Sequence, residues 1–86
     1  MTPKQAAEWM NSRLAEKKFL DQAEVADELR KRNPDLTYDN DSGNPAIKAN
    51  VLKEFRKTAG HEVVWSRSEK HWRYRAKGDG PGRMQY

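Results

Sequence analysis

The sequence predicts a small α+β domain in which three helices precede a β-hairpin. Three observations carry this. Apolar residues recur at helical spacing in three blocks that end near Lys18, Arg32 and Ala59. After Gly60 the spacing switches to strand alternation, and stretches rich in Asn, Asp, Gly and Pro mark the joins.

The first helix opens on Thr2 as N-cap, with Pro3 at the first helical position and Gln5 completing a capping box. Ala6, Met10 and Leu14 follow at intervals of four, with Ala7 and Trp9 beside them, while Glu8, Ser12, Arg13 and Glu16 take the other face. This pattern predicts an amphipathic helix from about Pro3 to Lys18, with Trp9 in the core. The second helix has Asp21 as N-cap, Glu24 to close a capping box, and Leu20 and Val25 as a hydrophobic staple. Val25, Ala26 and Leu29 form its apolar stripe. Arg30, Lys31 and Arg32 place cations at the negative end of the helix dipole, and Asn33-Pro34 ends it. The same three cations also suit phosphate contact, but the dipole accounts for them.

Between Pro34 and Pro45, turn chemistry dominates. Leu36 to Tyr38 and Ala46-Ile47 read as short strands around the turn Asp39-Asn40-Asp41-Ser42-Gly43-Asn44. The acids invite a calcium loop starting at Asp39, but its sixth and twelfth positions hold Asn44 and Asn50 where Gly and Glu are needed. The segment is therefore read as a turn. The third helix runs from about Lys48 to Ala59, with Val51, Leu52, Phe55 and Ala59 inward and Gly60 past its end. Val63 to Trp65 and His71 to Arg75 then form the hairpin around a polar turn at Arg67 to Lys70. Alternation puts Trp72 and Tyr74 on the inward face and His71, Arg73 and Arg75 on the outward one. Residues 1–76 read as one domain, and 77–86, rich in Gly, as a flexible tail.

The 86-residue chain has room for one thin core. Hydrophobic and charged fractions are both 35%, yet the apolar residues are periodic, so a folded domain is predicted rather than disorder. There is no Cys, which removes disulfides, Cys-based zinc sites and thiol nucleophiles. No apolar run is long enough to span a membrane and no segment reads as a secretory signal, so the expected location is the cytoplasm. Residues 1–47 hold seven Lys/Arg against nine Asp/Glu, whereas residues 48–86 hold ten against four. A basic C-terminal half of this kind suits a polyanionic partner.

No catalytic constellation stands out. His61 and His71 read as surface or turn residues, and Ser42, Ser66 and Ser68 lack a His–carboxylate pair nearby in sequence. The glycines lack the strand–loop–helix setting of a phosphate cradle. The chain is expected not to be an enzyme and to need neither cofactor nor metal.

Three helices followed by a hairpin is the element order of the winged helix, in which the third helix enters a major groove. The predicted nucleic-acid contacts are Lys48, Asn50, Lys53, Arg56 and Lys57 on helix three, with Arg67, Lys70, Arg73 and Arg75 on the wing. Double-stranded DNA is the first partner considered. About six to ten such phosphate contacts would make affinity fall ~10³–10⁵-fold between low and moderate salt. Two features support a rival. The segment between helices two and three, about fifteen residues, is much longer than a simple helix-turn-helix turn, and it carries Asp35, Asp39 and Asp41. A protein-interaction module, such as a phage or mobile-element accessory protein docking on a host protein, fits both. A homodimer is a third reading.

The runs Val51 to Lys57, Val63 to Arg67, Trp72 to Arg75 and Pro81 to Arg83 resemble a family of short uncharacterised bacterial and phage proteins, a domain of unknown function. The resemblance covers roughly residues 5–85, is densest in the C-terminal half, and departs from the pattern at Pro45 and Ala49. It implies a winged-helix-like fold, and implies no catalytic residues and no particular ligand.

Overall fold

The computed structural model describes residues 1–76 and 84–85. Three helices, α1 (Pro3–Lys17), α2 (Gln22–Arg32) and α3 (Ala49–Ala59), combine with six short strands: β1 (Phe19–Asp21), β2 (Thr37–Asp39), β3 (Pro45–Ile47), β4 (Val63–Ser66), β5 (His71–Tyr74) and β6 (Met84–Gln85). One sheet has the order β1-β5-β4-β6, antiparallel except for the β4–β6 pair, and β2–β3 forms a separate hairpin. The α+β class and the three helices agree with the sequence reading.

Local chemistry sets the helix starts. Thr2 Oγ1 accepts from the Gln5 N–H at 3.1 Å and Gln5 Oε1 accepts from the Thr2 N–H at 2.9 Å, so two otherwise unpaired donors are satisfied reciprocally. At α2, Asp21 Oδ1 accepts from the N–H groups of Ala23 and Glu24 at 2.9 and 3.3 Å. The expected reciprocal bond from Glu24 does not form, because its carboxylate turns to α1 and meets Lys17 at 3.4 Å and Arg13 at 3.6 Å.

One element has no counterpart in the sequence reading. Lys18 takes a left-handed conformation (φ 73°), its N–H bonds Leu14 O at 2.7 Å, and the chain leaves α1 directly into β1. β1 pairs with β5 in the register Phe19↔Arg73, Leu20↔Trp72 and Asp21↔His71. β5 is thereby an interior strand, with β1 on one side and β4 on the other.

The gap between α2 and α3 is filled by a 3₁₀ turn (Pro34–Leu36) and the β2–β3 hairpin. Asn40 Oδ1 accepts from the N–H groups of Ser42 and Asn44, each at 3.0 Å, and Gly43 supplies the positive φ of 80° that the turn requires. This is the hairpin that the turn residues predict.

The core joins Ala6, Ala7, Met10 and Leu14 of α1 with Val25, Ala26 and Leu29 of α2 and Val51 and Phe55 of α3. Leu20, Leu36, Ile47, Val63 and Trp72 close it. α1 packs along α3, and α2 packs mainly against β3. Phe55 meets Trp72 edge-on at 5.2 Å between centroids, and Trp65 lies 4.8 Å from Trp72, so the aromatic residues join helix layer to sheet.

Three expectations about side chains need correction. Trp9 packs against the core but is only half-buried, with the Arg32 guanidinium 5.1 Å from its ring. Tyr74 shares the strand face of Trp72 but is 38% exposed, because it lies one pair further along β5, past the Phe55 contact that covers Trp72. His71, Arg73 and Arg75 are half-buried rather than solvated; β1 flanks the first two, with Phe19 opposite Arg73 and 5.6 Å from the His71 ring. No helix among the described residues is long and apolar enough to cross a membrane. The flexible tail expected at 77–86 falls outside the described residues at 77–83 and 86, while its other two positions form β6 beside β4.

Candidate nucleic-acid interface

Helix α3 is held from beneath. Ile47, Val51 and Phe55 are fully buried, Lys48 N donates to Leu36 O at 3.0 Å, and the hairpin enters the helix with a single residue between them. At 100° per residue, five of the six exposed positions of α3, Ala49, Asn50, Lys53, Arg56 and Lys57, fall within one arc of about 120°, and Thr58 lies outside it. Four of the five sequence-predicted α3 residues are thus brought together on one solvent-facing stripe. Lys48 is not among them: it is the N-cap residue, half-buried, with a β-region backbone and its Cα off that arc.

Two of the stripe's four polar side chains are engaged within the helix and two are not. Lys57 pairs with Glu54 at 3.6 Å. Arg56 donates its Nε to Leu52 O at 3.3 Å, and its guanidinium makes no other hydrogen bond or ion pair among the described residues. Among the described residues, Asn50 and Lys53 have no side-chain hydrogen bond or ion pair. By contrast Asn11, Asn33 and Asn40 are each engaged in bonds that hold the fold together.

The wing divides into two parts. Arg67 and Lys70 are exposed at the tip, where Lys70 adopts φ 54° and its N–H bonds Ser66 O at 2.9 Å. Gln22 N donates to Lys70 O at 3.3 Å, so the tip is fastened to the start of α2. Arg73 and Arg75 lie lower on the sheet, half-buried, and Arg67, Arg73 and Arg75 all hold partners already. His71 is 15% exposed at the side chain and lies 3.3 Å from Glu69.

The acids of the long connection do not all face a ligand. Asp39 is bound by Arg30, which neutralises one acid of the loop and one cation of the basic turn at once. Arg32 is engaged by Glu28 at 3.3 Å and by Trp9, leaving Lys31 as the member of that turn with no side-chain partner among the described residues. A cavity of about 450 Å³ between the β2–β3 turn, the start of α2 and the wing tip is lined by three acids, Asp21, Asp27 and Glu69, and one cation, Lys70.

The sequence reading missed a second cleft, of about 280 Å³, between α1, β1 and α2. Trp9, Phe19, Leu20 and Val25 line it beneath Arg13, Lys17, Glu24 and Arg32. Its signal was the helical spacing of Trp9, Arg13 and Lys17, but the cleft exists only because β1 closes it. Cations and acids are paired across it, so it offers no uniform field to a polyanion. Among the described residues no group of three or more metal-ligating side chains converges.

A family model described as a family of unknown function (DUF6953) matches residues 2–74 of the chain. No curated protein and no solved structure matches it.

Proposed function

The chain belongs to the DUF6953 family of unknown function, and from that premise we propose that it is a non-enzymatic module that binds double-stranded DNA through α3, with the β4–β5 tip as a wing. The observation that carries this reading is the α3 stripe of Asn50, Lys53, Arg56 and Lys57, basic and solvent-facing, on a helix anchored by buried Ile47, Val51 and Phe55. A winged-helix arrangement is supported by the placement of β1 between α1 and α2, by its pairing with β5, and by the hairpin that follows α3. The β2–β3 hairpin then stands where the tight turn of a simple helix-turn-helix would be. Arg67 and Lys70 at the tip reach phosphate in this reading; Arg73 and Arg75 serve the sheet first.

The test compares two double variants with the parent on a duplex of random sequence. Lys53→Glu with Arg56→Glu is expected to abolish retention of duplex while leaving the circular dichroism spectrum intact. Arg67→Glu with Lys70→Glu should weaken binding by a smaller factor. Unchanged affinity in the helix variant would refute the assignment of α3.

A second reading, a protein partner, is favoured by one observation. Asp21, Asp27 and Glu69 make the cavity beside the wing tip acidic, which repels phosphate there and suits a basic peptide surface. Cross-linking of the parent chain in host lysate, with and without nuclease, separates the two readings.

A further inference from the structure

Building on that DNA reading, we propose that α3 reads two base pairs directly, with Asn50 on an adenine and Arg56 on a guanine two or three base pairs further along the groove. Each residue has the donors that the task needs. An Asn amide matches the N6–H₂ and N7 edge of adenine, and a guanidinium matches the O6 and N7 acceptors of guanine. The Asn50 amide has no partner among the described residues, and Arg56 bonds the helix backbone only through Nε at 3.3 Å, so its two terminal nitrogens remain available to a bidentate contact.

Geometry sets the spacing. Six residues separate Asn50 from Arg56, which is about 9 Å along an α-helix. Base pairs follow one another at roughly 3.4 Å, so with α3 lying along the groove the two side chains fall two to three steps apart. Both lie on the exposed arc, with Lys53 between them. Ala49 precedes Asn50 on the same exposed side, and its methyl suits the thymine methyl of an A·T pair without blocking the approach. Lys57 is tied to Glu54 at 3.6 Å and is left to the phosphates.

The experiment is affinity selection of the full chain on a pool of randomised duplexes, followed by sequencing of the retained fraction. Retained duplexes should share an A·T pair and a G·C pair separated by one or two positions. Asn50→Ala should lower the preference for adenine by about 5- to 100-fold while the guanine preference persists. Arg56→Ala, which removes every donor, should lower the guanine preference by a similar factor while the adenine preference persists. Both positions are exposed, and a matching circular dichroism spectrum verifies the fold of each variant. Retained duplexes with no shared sequence, or an adenine preference indifferent to Asn50→Ala, would overturn the base readout while the general DNA reading stands. No retention of any duplex at about 50 mM salt would overturn both.

Discussion

Ser66 and Trp72 mark the extremes of what one side chain does in this domain. Ser66 is 1% exposed, and its Oγ has no hydrogen-bond partner among the described residues. An unpaired buried hydroxyl costs about 1–3 kcal/mol of desolvation. Ser66→Ala is therefore expected to raise the thermal midpoint, by up to about 4–8 °C for each kcal/mol recovered in a domain of this size. Trp72 is the opposite case. It touches Phe55 and Trp65, pairs opposite Leu20 and closes the core, so Trp72→Ala should cost about 3–5 kcal/mol, enough to leave a marginal domain largely unfolded. Tyr74, two residues on, is exposed, and Tyr74→Ala should cost about 1 kcal/mol or less in denaturant titration. The alternation that places Trp72 and Tyr74 on one face is visible in the sequence. Where the helical layer ends above that face is not.

At the level of elements, what the sequence reveals follows how local the determinants are. The starts of α1 and α2 were readable because Thr2 and Asp21 bond donors two or three residues away. The β2–β3 turn was readable because Asn40 and Gly43 organise it among immediate neighbours. Gly43→Ala should destabilise the domain by about 1 kcal/mol, seen as a lower thermal midpoint. A Cβ there meets nothing within 4 Å, so the cost is the left-handed backbone alone. β1 escaped notice because three residues carry no period of their own. Phe19 to Asp21 become a strand only by pairing with β5, some fifty residues later in the chain. The same pairing sets the exposure of the basic wing face. His71 and Arg73 alternate as a solvent face should, but an interior strand with Phe19 beside it leaves them half-covered. The α3 stripe was legible because helical periodicity is itself local. The displacement of Lys48 from it depended on where the helix begins.

For the molecule as a whole, charge is organised by pairing rather than by total. The basic C-terminal half suggested a broad polyanion surface, yet several cations are engaged internally: Arg30 by Asp39, Arg32 by Glu28 and Trp9, and Arg13 and Lys17 by Glu24. What remains exposed on the proposed DNA side is the α3 stripe and the wing tip, where Lys53 and Lys70 have no side-chain partner among the described residues while Arg56, Lys57 and Arg67 each hold one. Fewer exposed cations mean a shallower dependence on salt than the sequence alone implied. With about four to five phosphates neutralised, affinity should fall roughly 10²- to 10³-fold between about 50 and about 200 mM salt.

The direct test of the DNA reading is titration of a labelled random duplex with the parent chain at those two salt concentrations. Measurable binding at the lower salt, weakened by two to three orders of magnitude at the higher, is the predicted result. Absence of binding at about 50 mM salt, or affinity indifferent to salt, would contradict it.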